Sequence, residues 1–175
     1  AWIAYTIGAL AAVGSTDVFT DAVFWLGFGF LFFLEASTVL TNEYFDYETD
    51  AENTFAGPFT GGSRVLVDDE LDFGTIRRGI AATLALTAVF AAGVLATASS
   101  HPLVVAGVMG TMAVLAIGYT VPPLQLSYRT LGELDVAATH SIGVLLCGFV
   151  FFGGSPTDPV PWLLGTPLLL ATLPS

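Results

Sequence analysis

Long apolar stretches separated by short polar connections run along the whole chain. A helix that crosses a membrane needs about 20 mostly apolar residues. Six segments have this character: 1–14, about 22–41, about 79–98, about 102–120, about 134–153 and 161–175. Because the first and last are short, we expect both to belong to longer helices and the chain to be a fragment of a longer membrane protein. The pattern predicts an all-α, polytopic transmembrane helical bundle that forms a single incomplete domain.

The arginines divide the polar connections into two groups. The connections 42–78 and 121–133 contain or border all the arginines, which are Arg64, Arg77, Arg78 and Arg129. The other connections contain none: 15–21, 99–101 and 154–160. Positively charged residues collect on the cytoplasmic side of membrane proteins. We therefore expect a multi-pass protein of the cell membrane with two cytoplasmic loops, 42–78 and 121–133.

Composition supports the membrane class and narrows the partners. Hydrophobic residues make up 54% of the chain, the mean hydropathy is +0.79 and 11% of residues are charged, against about 25% in soluble domains. The chain has 15 acidic residues and no lysine, which excludes nucleic acid as a partner because phosphates attract cationic residues. Such an acidic bias favours a halophilic source, since high salt screens the repulsion between carboxylates. The single cysteine, Cys147, excludes an intrachain disulfide.

The stretch TNEYFDYETD follows the second apolar segment and carries the candidate chemistry. On a helix, Asn42, Asp46 and Asp50 are spaced i, i+4, i+8, so they share one face and each step rises about 6 Å. We call these three residues the acidic column. Mg²⁺ prefers hard oxygen ligands, usually one or two carboxylates together with the phosphates of a substrate. The spacing therefore indicates a magnesium site at the cytoplasmic end of a transmembrane helix.

Other interpretations of the acidic column compete with a metal site. A solvated acidic helix end and an acidic ring of an ion channel both remain open from the spacing alone. An EF-hand loop that begins at Asp46 would need glycine at its sixth position and glutamate at its twelfth. The chain has Ala51 and Gly57 there, so that calcium site is excluded.

Three stretches resemble motifs of the UbiA superfamily of intramembrane prenyltransferases, in the order in which that family has them. NEYFDYETD resembles its first aspartate-rich motif, N-x-x-x-D-x-x-x-D. GPFTGGSRVLVDDEL and YTVPPLQLSYRTLGEL resemble the following loops of the branch that prenylates 1,4-dihydroxy-2-naphthoate for menaquinone biosynthesis. The family usually has Asn-Asp where this chain has Asn42–Glu43. Position 43 points away from the acidic column on a helix, so we expect little consequence.

The resemblance implies a fold and a reaction. The fold would have nine transmembrane helices around a central cavity. Acidic motifs on the second and sixth helices would hold Mg²⁺ and the diphosphate of a polyprenyl donor, whose prenyl group passes to an aromatic acceptor. Asp46 and Asp50 would be catalytic and would share the metal with Asn42. Residues 1–175 contain no second acidic motif, so we expect this fragment to be inactive by itself.

Two arginines and two tyrosines in or beside these two loops are candidates for substrate binding. Arg64 and Arg129 carry planar guanidinium groups suited to phosphate oxygens. Tyr119 and Tyr128 offer aromatic faces that could stabilise a developing allyl cation. A purely topological role for the arginines, and an interfacial role for the tyrosines, remain the alternatives.

Glu35 is an ionisable residue inside an apolar span. It precedes Asn42 by nearly two turns and therefore lies deeper on the same face. Such residues normally face the bundle interior and serve a function, so we include Glu35 among the catalytic candidates, to orient or deprotonate the acceptor; simple exposure to water is the alternative. We expect His140 to be a satisfied interior histidine and Asp135 to stabilise a helix N-terminus.

Two further classes of function remain open. The first is a prenyltransferase of the same family with a different acceptor, a carotenoid or a glycerol lipid. The second is a non-catalytic membrane transporter or ion pathway lined by Glu35 and the acidic column. A second acidic motif on a sixth helix would favour the enzyme, because a transporter has no need of one.

Overall fold

The computed structural model describes residues 1–54 and 63–172, and within these ranges all regular structure is helical. The α-helices are α1 (Trp2–Val13), α2 (Ala22–Phe45), α3 (Tyr47–Glu52), α4 (Phe73–Thr97), α5 (Pro102–Gly118), α6 (Gly132–Ala138), α7 (Val144–Phe151) and α8 (Pro159–Thr172). Short 3₁₀ helices span Thr16–Thr20 and Leu126–Arg129, and a π-helical turn, Thr139–Gly143, joins α6 to α7. The expected all-α class is confirmed for the described residues.

Local sequence signals explain where the long helices begin. Asp21 precedes α2 and its carboxylate accepts the Val23 backbone N–H at 2.9 Å. Asp72 precedes α4 and accepts the Thr75 backbone N–H at 2.8 Å. Both are N-caps, which satisfy backbone donors that have no partner within the helix. Because Asp72 provides this cap, α4 begins at Phe73, six residues before the apolar pattern does.

Three helical segments are long and apolar enough to cross a membrane: Ala22–Phe45, Phe73–Thr97 and Gly132–Phe151. The third consists of α6, the π-helical turn and α7. α4 packs on α2 along one side only, and it exposes large apolar side chains on its others, among them Leu84, Leu86, Val89 and Leu95. An apolar surface of this kind marks a membrane or protein interaction site.

The core lies between α1, α2, α5 and α7. Its fully buried members include Tyr5, Phe151 and Leu145. The Tyr5 hydroxyl donates a hydrogen bond to the Phe24 backbone oxygen at 3.0 Å, so α1 is tied to the start of α2. α1 also packs closely on α7, where Gly8 and Gly148 allow the two backbones to approach.

From the sequence, Gly57, Pro58, Gly61 and Gly62 predict that no helix continues through the 42–78 loop, and these residues lie outside the described ranges. On either side of them, α3 ends at Glu52, and residues 63–72, with a turn at 65–69, lead to α4. The described part of the loop therefore returns towards the end of α2, where the acidic column lies.

Candidate functional site

The acidic column lies where α2 gives way to α3. α2 ends at Phe45, and Asp46 forms its C-cap with φ −88° and ψ 0°. The Asp46 backbone N–H still donates to the Asn42 backbone oxygen at 2.8 Å, and the Asp50 backbone N–H donates to the Asp46 backbone oxygen at 2.8 Å. The prediction of one unbroken helix through Asn42, Asp46 and Asp50 is therefore wrong at Asp46, where α2 ends. The three residues nevertheless stay on successive turns.

Asn42 connects the column to the end of α5. Its side-chain oxygen accepts a hydrogen bond from the Thr120 hydroxyl at 2.6 Å, and Thr120 is completely buried. One lone pair of the amide oxygen is therefore committed within the protein. The amide N–H groups are the part of Asn42 best suited to an anionic ligand, because they are donors.

Tyr128 reaches the column from the second loop. Its hydroxyl donates to the Asp46 carboxylate and lies 3.5 Å from the Thr49 hydroxyl. The 3₁₀ helix that carries Tyr128 is held by Ser127, whose backbone N–H and hydroxyl both donate to the Tyr119 oxygen, at 2.9 and 2.8 Å. Two residues 82 positions apart in the chain, Asp46 and Tyr128, are thereby brought into contact.

The two candidate phosphate-binding arginines have different surroundings. The Arg64 guanidinium donates to the Asp50 backbone oxygen at 2.5 Å and lies 3.6 Å from the Asp68 carboxylate. Arg129 is exposed and donates to the Pro123 oxygen at 2.9 Å. Within residues 1–54 and 63–172, no contact joins Arg129 to the acidic column, whereas Arg64 lies beside it.

The surroundings of Asp46 and Asp50 disfavour the ionised form of both carboxylates. Burial raises the pKa of Asp46, and the negative charge of Glu43 adds to this, while the Tyr128 hydrogen bond acts in the opposite direction. Burial also raises the pKa of Asp50, followed by the charges of Asp46 and Glu43, against the lowering effect of Arg64. A cation bound between Asp46 and Asp50 would stabilise both ionised forms.

The donor set of the column fits Mg²⁺ bound together with a phosphate. The described residues contain no group of three or more His, Cys, Asp or Glu side chains arranged to hold a metal, so they provide no complete protein cage. Mg²⁺ keeps several waters and is commonly held by one or two carboxylates plus substrate phosphates. Asp46 and Asp50 supply that number. The pKa of each carboxylate is raised, so a bound cation would stabilise their ionised forms.

Glu43 has a structural role that its position in the motif does not reveal. It is only 8% exposed, and its carboxylate accepts the Leu66 backbone N–H at 3.1 Å and the Ser63 hydroxyl. The expectation of little consequence concerned the acidic column, and these contacts give Glu43 a separate role in the loop. Glu43 fixes the turn that follows Ser63, and this turn carries Arg64 to Asp50.

Replacing Glu43 with alanine should loosen this turn. The buried Leu66 N–H would lose its acceptor, which costs about 1–3 kcal/mol in unfolding free energy. Hydrogen exchange of residues 63–72 should become faster, and chemical unfolding should begin at lower denaturant concentration. Glu43→Gln keeps an acceptor oxygen, so its unfolding free energy should fall by less than that of Glu43→Ala. Glu48→Ala, at an exposed position of α3, is the matched control, and equal exchange rates in the Glu43 and Glu48 variants would contradict the assignment.

A cavity of about 250 Å³ lies next to the column, between α2, α5 and the α6–α7 segment. Its apolar lining includes Leu31, Leu34, Val39, Met112 and Val144, and its polar lining includes Glu35, Asn42, Tyr119, Asp135 and His140. Asn42 belongs to both the column and the cavity, so the two are adjacent. Tyr119 also lines the cavity, and its backbone oxygen accepts the two hydrogen bonds from Ser127 that hold the loop of Tyr128.

The cavity contains an acid–histidine pair that sequence reasoning did not predict. The Glu35 carboxylate lies 3.9 Å from His140 Nε2, with the two side chains 49% and 44% exposed. His140 is therefore partly exposed rather than enclosed, while its Nδ1 lies 3.1 Å from the Val136 backbone oxygen. It belongs to the π-helical turn Thr139–Gly143. Asp135 lies on the same segment, in the first turn of α6 as expected, and is buried there.

Comparison of the chain with protein-family models, with curated proteins and with solved structures gives no match.

Proposed function

We propose that this chain carries the donor-binding half of an intramembrane prenyltransferase. The reaction would be Mg²⁺-dependent transfer of a polyprenyl group from its diphosphate to an aromatic acceptor, with 1,4-dihydroxy-2-naphthoate of menaquinone biosynthesis as the first choice. The proposal places a multi-pass helical bundle in the cell membrane, with the site on its cytoplasmic side. The three membrane-length helices and the arginine distribution support this placement.

The observation that carries the proposal is the convergence of two loops on the acidic column. Arg64 comes from the first loop and contacts Asp50, and Tyr128 comes from the second and contacts Asp46. The sequence likeness to the prenyltransferase motifs names the same two loops. A solvated acidic helix end would not require a guanidinium and a phenol to be held against it.

Each side chain then has a defined task. Asp46 and Asp50 would bind the Mg²⁺ ion, and the Asn42 amide would donate a hydrogen bond to a phosphate oxygen. Bound Mg²⁺ would neutralise the leaving diphosphate, so that the allylic C–O bond breaks with its electron pair on oxygen. Arg64 lies close enough to Asp50 to accompany the same diphosphate. The acceptor's ring carbon then forms the new C–C bond and loses its former substituent, a proton or CO₂.

The test is a transfer assay with the full-length protein in membrane vesicles. The reaction contains radiolabelled polyprenyl diphosphate, dihydroxynaphthoate and Mg²⁺, and product is separated by chromatography. We expect prenylated product that falls to background when a chelator removes divalent cations and returns when Mg²⁺ is restored. Parallel reactions with a carotenoid and a glycerol lipid identify the acceptor if it differs.

An absence of product with every acceptor would reject the enzyme. In that case the Glu35–His140 pair next to an acidic column would favour the second candidate, a proton or cation pathway. Product formation that is unaffected by the chelator would retain the prenyl transfer but reject the metal role of Asp46 and Asp50.

A further inference from the structure

The Tyr128 side chain lies over the face of the column where a cation would bind. Its hydroxyl donates to the Asp46 carboxylate and is 3.5 Å from the Thr49 hydroxyl. The Asp50 backbone N–H donates to the Asp46 backbone oxygen, so this turn is helical, and residues spaced i, i+3 and i+4 share one face of a helix. Because Thr49 directly precedes Asp50, the phenol lies over the face that Asp46 and Asp50 would use to share a metal ion.

The Tyr128 hydroxyl gives Asp46 part of the stabilisation that a cation would give it. Burial raises the pKa of Asp46, and the Tyr128 hydrogen bond lowers it. The O–H proton is the positive end of the hydroxyl, and a hydrogen bond to an ionised group is stronger than one between neutral groups. Mg²⁺ keeps several waters when it binds to protein carboxylates. A hydrated cation at Asp46 therefore needs the space that the hydroxyl occupies.

The backbone of the second loop holds Tyr128 in this position. The short 3₁₀ helix that carries Tyr128 is flanked by Gln125 and Thr130, whose φ angles are +44° and +60°. Neither residue is glycine, and a positive φ is costly for a β-branched residue such as Thr130. Conformations of this kind persist where the surrounding structure enforces them, often at functional sites. The strained backbone on both sides of the helix thus indicates that the placement of Tyr128 has a function.

Tyr128 can leave Asp46 without unfolding of the loop. Its side chain is 48% exposed, so a rotation about the side-chain bonds would bring the hydroxyl into water, which can replace the hydrogen bond. The backbone stays fixed, because the N–H and the hydroxyl of Ser127 both donate to the Tyr119 backbone oxygen. A fixed backbone and an exposed side chain together permit a reversible contact.

We propose that Tyr128 is a latch on the acidic column: its hydroxyl occupies Asp46 while no metal is bound, and a divalent cation binds only when this side chain turns away. The inference rests on the proposed function, since it takes Asp46 as a metal ligand. It adds a competition to that function, because Tyr128 raises the cation concentration that the column requires. A tyrosine that instead held Asp46 in place for the metal would lower this concentration.

The test measures cation binding without turnover. Full-length protein in nanodiscs of a zwitterionic lipid is titrated with Mn²⁺, and the free ion is quantified by its EPR signal; Mg²⁺ affinity follows from competition. Asp46→Asn identifies the ion bound at the column, because this variant should lose that ion. Tyr128→Phe removes only the hydroxyl, so we expect it to bind Mn²⁺ about tenfold more tightly than wild type, the ratio that corresponds to about 1.4 kcal/mol.

The matched control is Tyr47→Phe, which removes a hydroxyl close to the column. Tyr47 lies in α3, and its ring packs against Phe73 with the ring centroids 5.0 Å apart. Among the described residues, its hydroxyl makes no hydrogen bond to Asp46 or Asp50. The Mn²⁺ affinity of Tyr47→Phe should therefore stay within twofold of wild type.

A second variant tests the loop that positions the latch. Ser127→Ala removes one of the two hydrogen bonds that fix the backbone beside Tyr128, so the latch should close less firmly and Mn²⁺ should bind about threefold more tightly. In the double variant with Tyr128→Phe, Ser127→Ala should add nothing further. Contributions that act through one contact are not additive, and full additivity would contradict the latch.

The outcomes separate this inference from the proposed function. Equal or weaker Mn²⁺ binding by Tyr128→Phe would overturn the latch, and so would an absence of Mn²⁺ binding in both proteins. If chelator-sensitive prenyl transfer occurs while Tyr128→Phe leaves the cation affinity unchanged, the enzyme stands and the latch is wrong. If Tyr128→Phe tightens cation binding but no prenyl transfer occurs with any acceptor, the latch stands and the reaction is wrong.

Discussion

Asp46→Asn and Asp50→Asn in the full-length protein should each reduce the rate of prenyl transfer roughly 1000-fold, the upper range for loss of one preorganised charge-stabilising group. Asparagine keeps the size and one oxygen of each side chain but removes the negative charge that attracts the cation. The measurement is the initial rate of radiolabelled product formation at saturating acceptor. Mg²⁺ should be titrated for each variant, because weaker cation binding shows as a higher Mg²⁺ requirement.

The control for these two substitutions is Glu48→Gln. Glu48 lies between Asp46 and Asp50 in the sequence, but it is exposed and lies off the column face. The Glu48→Gln substitution removes the same unit of charge, so it tests whether the loss of any nearby carboxylate has the same effect on the rate. Activity within twofold of wild type is expected. If the Asp46 and Asp50 variants also keep wild-type rates, the acidic column is a solvated helix end and its assignment fails.

The helices could be predicted from the sequence because their apolar content is high and uniform. Each of the six apolar segments forms helix within the residues that the structure describes. The largest boundary differences arise where a local cap overrides the apolar pattern, as Asp72 does for α4, or where polar residues continue a helix, as at the end of α2. Helix position is a local property, and local sequence is sufficient to determine it.

The environment of the candidate site could be predicted only in part. The i, i+4, i+8 spacing identifies the acidic column, and its loop context identifies Arg64 and Tyr128. Glu43 is different, because its hydrogen bonds to Ser63 and Leu66 connect residues 20 and 23 positions apart. No local periodicity reveals a contact of that kind.

Asp135 and His140 show the same limit more strongly. In the sequence, Asp135 is an acidic residue in a first helical turn, where it suits the helix dipole, and the structure keeps it in that turn. Its burial follows from the packing of other helices around it, and the position of His140 follows from a π-helical turn. Both are tertiary effects, so the burial of Asp135 and the approach of His140 to Glu35 are visible only in the structure.

Gly148→Ala should destabilise the folded protein by about 3 kcal/mol or more, at or above the usual range for overpacking. A Cβ at Gly148 would lie 2.1 Å from the Tyr5 backbone oxygen and 2.9 Å from the Ala9 nitrogen. Both are backbone atoms, so no side chain can rotate away and α1 must move as a unit. Small residues permit this close approach of helices, which matters most where no hydrophobic effect drives them together.

The consequence extends beyond the helix pair, because Tyr5 anchors α1 to α2 through its hydrogen bond to Phe24. A displaced α1 would open the core on both sides. The measurement is thermal unfolding in detergent, together with the yield of monodisperse protein. Gly107→Ala and Gly110→Ala are the controls: a Cβ at either position meets no atom within 4 Å, so alanine should gain about 0.5–1 kcal/mol from helix propensity. Equal Tm values for Gly148→Ala and these controls would show that the α1–α7 contact is looser than the structure has it.

The same variant separates stability from chemistry. Gly148 lies in α7 and belongs to neither the acidic column nor the lining of the cavity. Its replacement should lower the amount of folded protein while leaving the prenyl-transfer rate per folded molecule unchanged. Asp46→Asn should do the opposite, because an exchange of carboxylate for amide at that position removes charge without disturbing the helix packing. If Gly148→Ala lowers the rate per folded molecule as strongly as Asp46→Asn, then the packing of α1 on α7 controls the geometry of the site as well as its stability.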